Sequence, residues 1–170
     1  MYYLFVIIPT WYLYHFIEYG LHKIGHNYKL NSYIYRIHMN HHKKYYPISK
    51  TLDIKPYKTG YKYNISDGMI AYGPSMLFIF MIMYYLFDLY TYTIIVLQII
   101  LYAYISDYIH TEIHISGSWL EKYNWFIQKR KLHLIHHKKM NKNINIMDHT
   151  LDKLLILIMN NFIASNDYYI

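Results

Sequence analysis

Residues 69–109 read MIAYGPSMLFIFMIMYYLFDLYTYTIIVLQIILYAYISDYI, an apolar stretch without a single Lys or Arg. Its only acidic residues are Asp88, in the middle, and Asp107, near the end. About 20 helical residues cross the hydrocarbon core of a bilayer, so this stretch has about twice the length of one span. A single long helix would carry the Asp88 carboxylate through the bilayer centre, which is energetically expensive. We therefore predict a transmembrane hairpin, with helices over 69–87 and 89–109 and Asp88 at the tip.

The positive charges lie entirely outside this stretch. Of the 17 Lys and Arg residues, nine fall within Lys23–Lys62 and eight within Lys122–Lys153. A soluble domain would scatter charges of both signs over its surface. In membrane proteins, loops rich in Lys and Arg stay on the cytoplasmic side. We therefore place both basic blocks in the cytoplasm and the hairpin tip on the opposite side, and we expect no nucleic-acid binding despite the net charge of +7.

Residues 1–19 form a third apolar segment, in which Glu18 is the first charged residue. This segment has no basic region and no small-residue cleavage site, so we expect a membrane helix and not a signal peptide. The predicted fold is a single all-α domain over 1–170, an integral membrane, multi-pass helical bundle. Its cytoplasmic, histidine-rich helical cap is formed by residues 20–66 and 110–155. A weak helix over Leu151–Met159 is too short to span a membrane.

Ten of the 12 histidines repeat one pattern, H-x3-H followed by H-x2-H-H. On a helix, residues four apart lie on the same face, so each H-x3-H pair can present two imidazoles to one point. The first, fourth and fifth positions of H-x2-H-H share a face too, so each such group offers up to three. Because the chain has no Cys, only nitrogen and oxygen ligands are available, and imidazole suits iron, zinc, copper or nickel. Ten imidazoles on four short helices can enclose two metal ions, with positions left open for oxygen; they belong to His22, His26, His38, His41, His42, His110, His114, His133, His136 and His137.

The remaining two histidines, His15 and His149, lie outside the pattern. We expect His15 to pack between helices, and His149 has no partner at ligand spacing. Histidine ligands donate their second ring N–H to an acceptor that fixes the ring. The candidate acceptors are Glu18, Asp107, Asp148 and Asp152.

The repeated histidine pattern on either side of a hairpin resembles the fatty acid hydroxylase superfamily, the membrane histidine-rich di-iron enzymes that include sterol desaturases and lipid hydroxylases. Residues 35–43, YRIHMNHHK, with Pro47 beyond them, are similar to the family's Tyr-Arg-x-His-x-x-His-His segment. Residues 143–154, NINIMDHTLDKL, are similar to its closing Asn-Tyr-Gly-x-x-Asp-x-x-Trp-Asp-Arg-Leu. Asn145 stands where the family usually has Gly and Leu151 where it has Trp, which would alter the pocket floor.

The resemblance implies an oxidoreductase of the monooxygenase type that hydroxylates or desaturates a fatty acyl chain or a sterol in lipid biosynthesis. The ten patterned histidines would bind two iron ions, with zinc possible in purified samples, and O2 would be the co-substrate. No side chain is assigned a catalytic role, because the metal centre carries the chemistry. The chain has no dinucleotide-binding motif, so electrons would come from a b-type cytochrome or a ferredoxin at the basic face. In a eukaryotic cell we expect the endoplasmic reticulum.

Two alternatives stay open at this point. A carotenoid-type hydroxylase shares the histidine pattern in a short chain. A non-catalytic metal-binding membrane protein, such as a transporter or a degenerate family member, would also use histidine clusters. Transport predicts ionisable residues inside the spans, whereas the hairpin has only Asp88 and Asp107 near its helix ends. The identity of the lipid, the position of the oxidised carbon and the oligomeric state do not follow from the sequence.

Overall fold

The chain folds into helices, and the computed structural model describes residues 4–54, 67–150, 152–154 and 157. A π-helical segment, His41–Tyr45, directly follows the second α-helix, and a 3-10 turn, Trp119–Lys122, precedes the fifth. Within these ranges the only β-type pairing is an isolated parallel bridge between Asp53 and Ile115. The predicted all-α class is therefore confirmed. The five α-helices are α1 (Leu4–Gly25), α2 (Ser32–Asn40), α3 (Asp67–Leu86), α4 (Leu89–Ile113) and α5 (Asn124–Lys138).

The apolar stretch forms the predicted hairpin. Helix α3 ends at Leu86 and α4 begins at Leu89, so Asp88 lies at the tip. The Asp88 carboxylate accepts hydrogen bonds from the backbone N–H groups of Tyr90 and Thr91. Asp at this position satisfies N–H groups that have no partner within the helix, and it therefore starts α4.

Helix α1 runs parallel to α4 and antiparallel to α3. The rings of Trp11 and Tyr102 meet edge to face at 5.2 Å, and Glu18 accepts a hydrogen bond from Ser106. A core of Tyr14, Met83, Ile95 and Ile99 joins the three helices. Helix α1 continues past the predicted end at residue 19 to Gly25, with Gly20 inside it. This extension carries His22 towards the other histidines.

Helix α4 is long and apolar enough to cross a membrane. Only 22% of its most apolar 18-residue stretch is buried inside the protein. A core helix of a soluble protein would be mostly buried. The apolar part of α3, Ala71–Leu86, is shorter, and among the described helices α4 alone meets the length and composition test. The spans predicted over 1–19 and 69–87 stay predictions. Large apolar side chains exposed on the hairpin include Leu77, Phe78, Met81, Tyr85, Leu86, Leu89, Tyr90, Leu97, Leu101 and Tyr104.

The histidine-rich segments pack together where α1 and α4 end. Helix α2 begins at the N-cap residue Asn31, whose side chain accepts from the N–H groups of Tyr33 and Ile34. Helix α5 packs on the end of α4 through a core of Ile109, Ile113, Leu120, Phe126 and Ile146. Of the predicted helix Leu151–Met159, residues 152–154 and 157 are helical, and the others, Leu151 included, lie outside the described residues.

Candidate metal centre

Five of the ten patterned histidines converge in what we call the first cluster: His22, His26, His38, His42 and His136, whose nearest ring nitrogens all lie within 4.8 Å of one another. The Nε2 atom of His136 lies 3.1 Å from that of His22 and 3.2 Å from that of His26. The Nε2 atom of His38 lies 3.1 Å from that of His26 and 3.0 Å from that of His42. Helices α1, α2 and α5 and the π-helical segment contribute to this cluster.

The other five histidines form the second cluster, in which the nearest ring nitrogens of His41, His110, His114 and His133 also lie within 4.8 Å of one another. The Nε2 atom of His133 lies 3.1 Å from those of both His110 and His114. His137 joins this cluster, because its Nε2 atom lies 3.2 Å from those of His41 and His133. The structure thus brings together all ten histidines that the sequence predicts.

Each H-x2-H-H group contributes to both clusters. His38 and His42 belong to the first cluster, whereas His41 between them belongs to the second. In the other group His133 and His137 belong to the second cluster and His136 to the first. Consecutive residues on a helix diverge by about 100°, so neighbouring histidines cannot both aim at one point. Each group thus offers three histidines to the two clusters, and only its first and fifth positions share a cluster.

The spacing of the nitrogens fits a metal ion. With metal–imidazole bonds of about 2.0–2.1 Å, neighbouring ligand nitrogens lie about 2.9 Å apart at right angles and about 3.3 Å apart at tetrahedral angles. The Nε2 contacts in the two clusters measure 3.0 to 3.2 Å. Five imidazoles exceed the four ligands of a closed structural zinc site. The first cluster can therefore hold a metal ion that accepts five ligands, and the second can hold one that accepts four, with His137 beside two of its members.

Backbone carbonyl groups fix three of the rings. The Nδ1 atom of His114 lies 2.7 Å from the carbonyl oxygen of Thr51, that of His136 lies 2.9 Å from Lys142, and that of His137 lies 3.0 Å from Tyr46. A carbonyl oxygen only accepts hydrogen bonds, so each Nδ1 atom carries the proton and each Nε2 atom offers its lone pair to the cluster. This second contact selects the tautomer that a metal requires.

Three of the four candidate carboxylates bind other groups. Glu18 accepts from Tyr14 and Ser106, Asp148 accepts from Thr150, and Asp152 accepts from the backbone N–H groups of Ile144 and Asn145. The prediction that these three carboxylates orient ligand rings is therefore wrong. Asp107 lines the cavity beside the second cluster.

Burial keeps the cluster histidines neutral. It lowers the pKa of His26 to about 4, and repulsion by a charged His136 adds to the effect. It also lowers the pKa of His136 to about 4 and that of His137 to about 3. Burial, followed by repulsion from neighbouring histidines, lowers the pKa of His38, His41, His42 and His133 well below 6.5. A neutral imidazole is the form that binds a metal.

A cavity of about 280 Å³ extends from the clusters into the space between α1, α3 and α4. Its histidine end is lined by His22, His38, His41, His110 and His114. Its far end is apolar, with Met76 and Phe80 on α3 and Ile99 and Ala103 on α4. The cavity thus joins an apolar space to the histidine clusters, and pockets lined mainly by apolar side chains with a few polar groups are typical of small-molecule sites.

Three residues outside the predicted set support the clusters. A Cβ atom on Gly25 would lie 3.0 Å from the His38 ring, so only glycine allows α1 and α2 to approach this closely. The Tyr46 ring stacks on His114 at 3.9 Å. Arg130, which is buried, donates to the carbonyl oxygens of Glu112 and Ile115 and pairs with Glu121, which fixes the end of α4. Of these three residues, only Gly25 could have been noticed in the sequence, because it directly precedes His26. The contacts of Tyr46 and Arg130 join residues that are distant in the chain.

The two histidines outside the pattern lie outside the clusters. His15 is buried, its Nδ1 atom lies 3.4 Å from Glu18, and its ring packs edge to face on Trp11. His149 is buried beside Asp152, with its Nδ1 atom 3.3 Å from that carboxylate. Their places agree with the expectation that neither is a ligand.

Comparisons with protein-family models, with curated proteins and with solved structures find no match for this chain.

Proposed function

We propose that this protein is a membrane-bound di-iron oxidoreductase that hydroxylates or desaturates a lipid with O2 and external electrons. The observation that supports the proposal most is the pair of five-histidine clusters, which adjoin an apolar cavity between the long helices. The resemblance of the histidine pattern to the fatty acid hydroxylase superfamily points to the same chemistry.

The histidines offer ten neutral nitrogen donors and no thiolate, a ligand set that suits iron. Bound iron would supply the activation of O2 and the removal of hydrogen from an unactivated C–H bond, which no side chain achieves. Hydroxylation places one oxygen atom in the C–H bond and reduces the other to water, with two electrons and two protons from outside. Desaturation removes two hydrogens from the lipid and, with the same electrons and protons, reduces both oxygen atoms to water.

The residues of the chain hold and orient the reacting groups. The carbonyl groups of Tyr46, Thr51 and Lys142 keep three ligand rings in place. The apolar walls of the cavity, such as Met76 and Ile99, bind a hydrocarbon chain beside the clusters and exclude water. The exposed hairpin side chains suit a lipid environment, and this protein would then draw its substrate from the membrane.

External electrons would reach the clusters from the side of the basic segments. Exposed Lys and Arg residues of the described basic segments include Lys23, Lys29, Arg36, Lys43, Lys44, Lys131, Lys138, Lys139 and Lys142. A surface of this sign favours encounter with an acidic donor, such as a b-type cytochrome or a ferredoxin. The same segments would face the cytoplasm by the positive-inside rule.

The test measures metal content per chain on detergent-purified protein, followed by lipid profiling of cells that express it. We expect about two iron ions per chain, one for each histidine cluster. Both ions should be lost in a variant with His41, His42, His136 and His137 changed to Ala. Cells expressing the wild type, and not the variant, should accumulate a hydroxylated or desaturated lipid. Bound metal without any oxidised lipid would favour the alternative of a non-catalytic metal-binding protein. A folded wild type without metal would overturn the oxidoreductase and this alternative alike.

A further inference from the structure

Three neighbouring aromatic side chains just after α4, those of Trp119, Tyr123 and Trp125, are exposed and form what we call the aromatic patch. The Trp119 and Tyr123 rings meet edge to face at 6.1 Å, and the Tyr123 and Trp125 rings stack at 6.2 Å. Leu120 and Phe126, in the same segment, are buried in the core that joins α5 to the end of α4. The segment therefore has one side in the core and presents three rings outward. Exposed apolar side chains that lie together, unlike scattered ones, mark a contact surface.

A lysine lies over the patch. The ammonium group of Lys122 lies 5.0 Å from the ring centroids of both Trp119 and Tyr123, which is the geometry of a cation–π contact. The acid beside it in the chain, Glu121, pairs with Arg130, so the charge of Lys122 stays available to an anion outside the protein. Trp and Tyr rings beside a lysine are the combination that membrane proteins place among lipid head groups.

The patch continues an apolar face of α4. The indole N–H of Trp119 donates a hydrogen bond to the Tyr108 hydroxyl at 2.7 Å. Tyr108 ends a row of exposed side chains that also contains Leu97, Leu101 and Tyr104. These residues recur every three or four positions and therefore lie on one face of the helix. The face of α4 that suits lipid thus leads directly to the patch.

The patch lies about one bilayer thickness from the tip of the hairpin. Helix α4 rises about 29 Å from Leu89 to Tyr108, at about 1.5 Å per residue, and the hydrocarbon core of a bilayer is about 30 Å thick. The tip also has exposed rings, those of Tyr85 and Tyr90. Membrane proteins have such aromatic residues at both interfaces. A partner protein would not require this spacing, which therefore favours a bilayer as the occupant of the patch.

We infer that the aromatic patch is a membrane-interface anchor, which lies among the lipid head groups at the histidine end of α4, with Lys122 beside lipid phosphates. The anchor sets the depth of the candidate site. Ile99 and Ala103, at the apolar end of the cavity, then lie at the depth of the hydrocarbon core, and His114 lies just beyond it. The inference rests on the proposed function for the membrane location, and it requires neither iron nor an oxidised lipid.

Tryptophan fluorescence measures the depth of the patch directly, because Trp11, Trp119 and Trp125 are the three tryptophans of the chain. Three variants each keep one tryptophan, with the other two changed to Phe. Each is reconstituted into vesicles of an equimolar mixture of phosphatidylcholine and phosphatidylglycerol. The phosphatidylcholine is either unlabelled, brominated near the head group, or brominated near the end of the acyl chain. Bromine quenches the fluorescence of a ring that it contacts, so the two labels report depth.

We expect bromine near the head group to quench Trp119 and Trp125 about twofold more than bromine near the chain end, because the rings lie at the interface. Trp11, which packs on Tyr102 between the long helices, should show the opposite order. The matched control is Tyr28→Trp in a chain whose three tryptophans are changed to Phe. Tyr28 is exposed on the turn after α1, in the histidine-rich part that faces water, and neither label should quench a tryptophan there.

Two results would overturn the anchor alone: Trp119 and Trp125 quenched by neither label while Trp11 is quenched, or both quenched more strongly by bromine near the chain end. If chains without Trp11 do not fold, the double variant Trp119→Phe, Trp125→Phe decides, since it should lose most of the quenching that head-group bromine causes in the wild type. Protein that stays in solution when the vesicles are floated would overturn the anchor and the membrane location together. A confirmed anchor without bound metal or oxidised lipid would count against the proposed function alone.

Discussion

The Ser106 hydroxyl donates a hydrogen bond to the Glu18 carboxylate. Ser106 lies one helical turn before His110 on α4, and Glu18 lies one helical turn before His22 on α1. Because His22 belongs to the first cluster and His110 to the second, this bond fixes the axial register between the helices that carry them. It therefore couples the positions of the two histidine clusters.

We expect Ser106→Ala to destabilise the protein by about 1–2 kcal/mol, because a buried carboxylate loses one of its donors. Ser106→Thr keeps the hydroxyl and should retain most of the stability. The matched control is Ser116→Ala, since Ser116 is exposed on the loop after α4. Chemical unfolding in detergent measures all three, and a Ser106→Ala variant as stable as the control would contradict the prediction.

The division of neighbouring histidines between clusters gives a second prediction. His41→Ala removes a ligand from the second cluster only, and His42→Ala removes one from the first only. Each variant should keep the metal ion of the intact cluster, with metal content falling from about two towards about one per chain, because removal of one ligand weakens its own site most. Metal analysis of the purified variants checks this.

The control for that pair is His149→Ala, a change of the same kind at a buried histidine that belongs to neither cluster. It should retain both ions. If His41→Ala and His42→Ala each lost both ions while the control lost none, the two clusters would act as one site and the division would not hold.

Glycine at position 25 gives a third prediction. The added Cβ of Gly25→Ala would lie 3.0 Å from the His38 ring, so the ring must move and the first cluster should bind its metal more weakly. Gly20→Ala lies on the same helix and meets nothing within 4 Å, so it should be neutral or stabilising by up to about 1 kcal/mol. Metal content and unfolding of the two variants separate them, and equal behaviour would count against the close approach.

Much of this arrangement could be predicted from the sequence. The hairpin followed from a stretch without Lys or Arg, about two spans long, with one central acid, and Asp88 does start α4. The convergence of the patterned histidines followed from their spacing, because residues four apart lie on one face of a helix. Both are local properties, and local patterns are the part of a fold that a sequence displays directly.

The rest depended on contacts between distant segments. The carbonyl group of Thr51 accepts from His114, 63 residues away, and that of Tyr46 accepts from His137, 91 residues away. Every residue has a backbone carbonyl, so the sequence does not show which one will accept such a hydrogen bond. The bridge between Asp53 and Ile115 that brings Thr51 to α4 is equally invisible. The assignment of His41 to the second cluster depends on how α2, α4 and α5 pack and not on spacing alone.

The lowered pKa values predict how the metal-free protein responds to acid. In the unfolded chain the cluster histidines bind protons below about pH 6.5, whereas in the folded protein His26 and His136 stay neutral down to about pH 4. Between these values the unfolded state binds more protons, so the free energy of unfolding falls as the pH falls. Each ring that stays neutral contributes a slope of about 1.4 kcal/mol per pH unit. Unfolding of chelator-treated protein between pH 7.5 and 4.5 measures this slope. We expect His26→Gln and His136→Gln to make it shallower. A free energy of unfolding that does not change over this range would show that the cluster histidines are not buried as neutral imidazoles.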